Sequence, residues 1–459
     1  MIISTKVVRR YVVSLALAGL TVFLGYFARR ADFGVFMAAF GAMFGLYLWV
    51  VFVPRNASPD GERWYVGLGI ALRVLLLFNI PNLSDDFYRF LWDGYLTLAG
   101  IHPFSHPPIY FFENRIFPLG ITPELYARLN SPEYFTVYPP VCQAVFGLAA
   151  WGSLGNLWGG LVLMKVFLLA CEIGTIGLLG SAFGKSPGPR AWSPALLYAL
   201  NPLVILEIVG NCHFEGAMIF FLLAGLRALR QDEVKRAAVW WGLATAAKLL
   251  PLMFLPIVWR WLGWRRGWVF VVVFVGSVVV LFAPLWSVLP NILSSLDLYF
   301  RQFQFNASFY HVFRAAGNWW KGYETGRWVG PMLGLATVAG VLATAWLTPR
   351  FRSSKGPSVE GLCQALLVAL VLHLFFSAIV HPWYVVVPFA MGLLTRWRFP
   401  LLWSGLVALS YSHYAGGFFR ENYWLIALEY LALWLFLFWE IKHRDKHDSG
   451  HSLPLSPTK

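Results

Sequence analysis

Apolar residues in this chain do not alternate with polar ones; they come in runs of about a dozen to more than twenty, separated by short polar or basic segments. A helix rising 1.5 Å per residue needs about 20 such residues to cross a bilayer's hydrocarbon, so the pattern predicts transmembrane helices rather than strands. Spans are expected over residues 11–28, 33–53, 64–80, 159–180, 191–209, 216–228, 268–289, 329–348, 360–379, 383–394, 400–413 and 422–438, with a short hairpin through 237–258. The run 141–154 opens on Tyr138-Pro139-Pro140 and is short for a crossing, so it is expected to be interfacial or re-entrant. The first run follows Lys6, Arg9 and Arg10 without a small-residue cleavage site behind it, and is expected to be a retained anchor.

These elements imply an all-α polytopic membrane protein: one bundle of about 12–14 helices over residues 1–441, with no separable soluble domain. Two long outer loops, 81–140 and 290–328, interrupt it, and a polar tail, 442–459, follows and is expected to be disordered. Composition agrees, since only 13% of the residues are charged and 58% are hydrophobic, where a soluble domain carries about 25% charge.

The net charge of +14 raises the possibility of nucleic-acid binding, but its distribution excludes it. Most of the 36 lysines and arginines fall on the side of the N-terminus, in clusters at 227–236, 260–266, 350–355 and 442–446. This bias follows the positive-inside rule and predicts cytoplasmic N- and C-termini, with membrane lipids as the partners of the basic clusters. The cysteines, Cys142, Cys171, Cys212 and Cys363, lack metal-ligand or redox spacing and are expected to be buried thiols.

Chemistry gathers on the opposite side. Ser84-Asp85-Asp86-Phe87-Tyr88-Arg89-Phe90-Leu91-Trp92-Asp93-Gly94 puts three carboxylates and an arginine at the mouth of a span, where charge is costly and therefore points to function. Asn211-Cys212-His213-Phe214-Glu215, the loop carrying Arg301, His311 and Arg314, and His381-Pro382-Trp383-Tyr384 share that side. Lys248 sits mid-run before Pro251, where it either snorkels to the interface or meets a substrate phosphate at a broken helix. Such a set suits transfer from a lipid phosphate: a carboxylate removes a proton from an acceptor hydroxyl while cations or imidazoles receive charge on the departing phosphate. The sequons Asn82-Leu83-Ser84 and Asn306-Ala307-Ser308 also face outward in this topology.

Five segments in order over residues 80–390 resemble the GT-C glycosyltransferases of bacteria and archaea, and in particular the polyprenol-phosphate-mannose-dependent mannosyltransferases. They are the 84–95 string with Ala99-Gly100-Ile101-His102-Pro103-Phe104, then Tyr138-Pro139-Pro140, Asn201-Pro202 through Gly216, Ala246-Ala247-Lys248-Leu249-Leu250-Pro251, and His381-Pro382-Trp383-Tyr384. The resemblance implies a large first catalytic outer loop and a polyprenyl-phosphate sugar donor, commonly of mannose. It further implies inverting transfer to a lipid or glycan acceptor outside the cytoplasm of a bacterial plasma membrane, with no metal or other cofactor.

Carried over by position, Asp86 matches the family's acid and is the expected general base, with Asp85 as its neighbouring competitor. Arg89, Asp93, Tyr138, Asn211, His213, Glu215, Lys248, Arg301, His381 and Tyr384 are the expected substrate-binding residues. For several a simpler role stands beside this one: Asp93 as a cap or the partner of Arg89, His381 and Tyr384 as members of an aromatic belt, Arg301 as a solvated loop charge. The chain has Phe214-Glu215 where the family usually shows Asn-Asp, so acceptor contacts there differ. A transporter or flippase of a polyprenol-linked or anionic substrate is the competing class; it predicts paired broken segments in two repeats, and no second copy of the Asp85-Asp86 loop or of the Lys248 hairpin occurs.

Overall fold

A computed structural model describes residues 5–52, 59–181, 193–294, 303–348 and 358–448. Most of these are helical; among them one isolated parallel bridge, Phe305 to Ile379, is the sole strand-like pairing. Among the described residues, seven helices are long and apolar enough to cross a membrane: Val7–Phe27, Phe33–Phe52, Leu157–Ser181, Trp264–Ser294, Gly326–Leu347, Val359–Phe376 and Tyr423–His443. The chain is a polytopic all-α membrane protein, and these seven coincide with seven of the expected spans.

Among the described residues the other expected spans are shorter or broken; one bent pair passes the same test of length and composition as an eighth, and the rest are half-helices. Proline explains most of the breaks, because it lacks an N–H and pushes its predecessor out of the helical region. The run 191–209 becomes Pro194–Leu200, Pro202–Val204 and a π-helical turn Ile205–Gly210, with Asn201 extended before Pro202. The chain then bends by 111° into Glu215–Arg230. Cys212, at φ 65°, takes the left-handed turn. The hairpin 237–258 is Val234–Ala247, an extended Lys248, and Leu250–Phe254 running into Leu255–Leu262. The helix Pro140–Ser153, as expected, is too short to cross, and packs against Asp86–Leu98 and Leu157–Ser181. Gly94 permits that contact: a Cβ there would lie 2.3 Å from the Phe146 carbonyl oxygen.

Broken helices leave carbonyl oxygens without partners in an apolar interior, and two buried cations take them up. Lys165 Nζ lies 2.6–3.1 Å from the carbonyl oxygens of Leu76, Asn79 and Gly210 and from Asn79 Oδ1. Arg73 donates to the Gly69 and Ala199 carbonyls and pairs with Glu172 at 2.9 Å, and Tyr198 donates to the other Glu172 oxygen at 2.7 Å. Both cations are fully buried.

The final helix runs to Asp448, so the polar tail expected to be disordered from 442 begins as helix. The basic cluster 350–355 and residues 449–459 lie outside the described residues. All four cysteines are unpaired and buried, as expected. Replacing Arg73 with Met leaves Glu172 buried without its cation and is expected to cost about 3–5 kcal/mol, with much of the loss recovered in Arg73→Met/Glu172→Leu. Thermal unfolding of the purified variants in lipid nanodiscs measures this, and equal losses in single and double variants would contradict it.

Candidate active site

Asp85 ends the loop after the helix Pro59–Leu75, and Asp86 begins the helix Asp86–Leu98. Although adjacent, the two carboxylates meet different surroundings. Asp85 forms an ion pair with Arg30, whose guanidinium also lies over the Tyr414 ring. Asp86 accepts a hydrogen bond of 2.9 Å from the Asn130 amide and, among the described residues, has no ion-pair partner. It is partly exposed.

One turn on, Arg89 and Asp93 form a buried i,i+4 pair at 3.0 Å. Arg89 also donates to the Ser131 and Tyr134 carbonyls, and Gln143 donates to the second Asp93 oxygen at 2.9 Å. Asp93 is completely buried with both oxygens engaged, so it clasps the outer loop to the short helix Pro140–Ser153. Arg89 keeps one buried nitrogen, Nη2, without a protein partner.

Tyr138 joins this group to a second one. Burial, reinforced by the Asp86 carboxylate, holds its phenol well above the ordinary value, and it shares an electrostatic neighbourhood with Arg89, Asp93 and Tyr384. Its ring lies 5.7 Å below Lys248 Nζ, which in turn pairs with Glu215 at 2.9 Å. Glu215 opens the helix that follows the 111° bend, where the positive helix end favours a carboxylate. The half-buried lysine expected to snorkel or bind phosphate therefore has a carboxylate beside it, and Glu215 Oε2 remains buried without a hydrogen bond.

His213 stacks on Trp383 at 3.8 Å between centroids, and His381 stacks on the same indole at 4.3 Å. Asn211 donates to Glu207, which also faces His213 Nδ1. Phe305 meets this group through its bridge to Ile379, which sets its ring 4.4 Å from His381 and 5.0 Å from His413. Asp86, Tyr138, Tyr384, Lys248, Glu215, His213 and His381 are thus brought together from five separated stretches of chain. Arg301 lies outside the described residues. Arg314 forks onto Glu324 at 2.7 and 2.8 Å and holds that carboxyl down to about 2, so it clasps its own loop.

A family model described as "Alpha-(1->6)-mannopyranosyltransferase, N-terminal domain" matches residues 6–263, more than half of the chain. The chain belongs to this family. Its matched region takes in Asp86, Tyr138, His213, Glu215 and Lys248, while His381 and Tyr384 lie beyond it. Similar proteins include alpha-(1->6)-mannopyranosyltransferase A of Mycobacterium tuberculosis, 25% identical over 230 residues, and alpha-(1->6)-mannopyranosyltransferase B of Corynebacterium glutamicum, 22% identical over 228 residues. Each match covers 47% of this chain, but only 42% and 36% of the respective relative.

For a member of this family, several site residues carry no sequence signal. Glu207, Tyr411, Asn130 and Gln143 sit in ordinary helical or loop contexts and gain meaning only through contacts formed by the fold. The two sequons, in contrast, lose theirs. Asn82 Nδ2 donates to the Leu24 and Ala28 carbonyls, and fully buried Asn306 donates to Glu429 at 3.1 Å. Expression in a glycosylating host is therefore expected to add no glycan at either asparagine, which mass spectrometry of tryptic peptides checks.

Proposed function

We propose that this protein is a glycosyltransferase that moves mannose from a polyprenyl-phosphate donor to a lipid or glycan acceptor, by single displacement with inversion. The observation that carries the reading is the asymmetry of the two adjacent carboxylates. Asp85 is neutralised by Arg30, whereas Asp86 has no cation partner among the described residues and borders the cluster of Tyr138, Lys248 and the imidazoles. Asp86 takes the proton of the acceptor hydroxyl as its oxygen attacks the anomeric carbon, and Asp85 is left as a structural partner of Arg30.

The opposite end of the reaction needs positive charge. The Lys248–Glu215 pair and the His213 and His381 imidazoles meet the phosphate as the bond from the anomeric carbon breaks. Trp383 is sandwiched by the two imidazoles, and Tyr384 beside it offers an aromatic edge to the sugar. The relatives' names specify an α product, and inversion then requires a β-linked donor. The basic clusters support cytoplasmic termini and an extracytoplasmic site in a bacterial plasma membrane, where lipid-linked donors are reached from the bilayer.

The test is release of polyprenyl phosphate from labelled β-linked polyprenyl-phosphate mannose by purified protein in membrane lipid. Asp86→Asn is expected to lower turnover about 10²–10⁴-fold, the usual range for a lost general base, while Asp85→Asn stays within about tenfold of the parent. Equal losses in the two variants would remove the assignment of the base, and absence of sugar transfer by the parent would overturn the reading.

A further inference from the structure

We propose that Glu207 and Tyr411 are positioning residues that make His213 a hydrogen-bond donor to the departing phosphate of the lipid-linked sugar; this rests on the transferase reading above. The imidazole Nδ1 faces two acceptors at once, the Glu207 carbonyl oxygen at 3.0 Å and Glu207 Oε2 at 3.2 Å. A nitrogen so placed carries its hydrogen, which fixes the ring's orientation and leaves Nε2 as the free position. The other carboxylate oxygen of Glu207 accepts from the Tyr411 hydroxyl at 2.5 Å. Tyr411 comes from the segment Val407–Gly417, about 200 residues away in sequence.

Glu207 also offers the ring a counter-charge. Glu207 is 1% exposed, and among the described residues no lysine or arginine pairs with it; His213 is its single ion-pair partner. The Glu207 carboxylate lies against Nδ1, so it balances the charge of a ring that carries hydrogens on both nitrogens when the phosphate is bound. Nε2 is itself buried and has no protein partner. Stacking on Trp383 at 3.8 Å holds the ring plane, and the nearby Lys248 already shares its charge with Glu215. An oriented N–H in an enclosed site, lacking an acceptor of its own, suits an oxygen that gains negative charge during the reaction.

In the step itself, the acceptor oxygen forms a bond to the anomeric carbon and loses its proton to Asp86. The bond from that carbon to the phosphate oxygen breaks with its electron pair remaining on the oxygen. His213 donates a hydrogen bond to that oxygen and keeps its proton, so no further acid is required.

A double-mutant cycle on the full-length protein in membrane lipid tests this, with kcat and donor KM measured on polyprenyl-phosphate mannose. Glu207→Gln is expected to lower kcat about 10²-fold, the range for a lost oxyanion contact, with donor KM changed by less than about threefold. Glu207→Asp recovers part of the loss. In a His213→Gln background, Glu207→Gln adds less than about threefold, because both substitutions act through one imidazole. Should Glu207→Gln not fold, Tyr411→Phe, which removes only a hydroxyl, takes its place in the cycle. Additive losses, or an unchanged kcat in Glu207→Gln beside an active parent, would overturn the relay and leave the transferase reading intact. A parent with no turnover on any polyprenyl-phosphate sugar would overturn both.

Discussion

Every backbone carbonyl freed by a broken helix inside an apolar bundle must find a donor within the protein, and Lys165 meets that requirement at the centre of this one. Its ammonium gathers the end of one helix, at Leu76 and Asn79, and the end of the π-helical turn, at Gly210. Arg73 performs the same service for Ala199, just before the break at Asn201 and Pro202. Without these cations the segment from Asn201 to Glu215 would carry exposed polar backbone in a medium with no water to satisfy it. The two buried cations that resemble reaction chemistry in composition are therefore parts of the scaffold.

The site depends on that scaffold directly. Gly210 is held by Lys165, and the turn that follows delivers Asn211, His213 and Glu215 within a few residues. A second break, at Lys248, brings an ammonium against Glu215 and over Tyr138. A third, before Pro382, sets His381 and Trp383 against His213. Each of these groups thus sits at a helix interruption, where backbone departs from regular bonding and side chains can converge on a common space. Unbroken helices would place the same residues along separate walls of the bundle.

The loop over residues 81–140 illustrates how position separates residues that look alike. Asp85, Asp86 and Asp93 stand within one short string, yet one is paired with an arginine from the first helical hairpin, one carries only an amide donor, and one is locked in the loop's interior. The motif at 84–95 was readable as a functional loop, and the adjacency of Asp85 and Asp86 already implied that they face differently. Which of them kept an open carboxylate required Arg30, more than fifty residues earlier in the chain. Likewise, Asn306 reads as an outward sequon, but its amide is consumed by Glu429 from the last long helix.

The sequence by itself determined the class of molecule and marked several of the polar segments that the fold brings together. Apolar runs of membrane length, the prolines that interrupt the others, and the one-sided basic clusters are local properties, and local physics is sufficient to read them. Tertiary structure alone decided the partners of the ionisable groups, because pairing in an apolar interior depends on which helix ends meet. Lys248 with Glu215, Asp85 with Arg30, and Glu207 with His213 and Tyr411 are choices made across distant segments, and no periodicity or spacing along the chain encodes them.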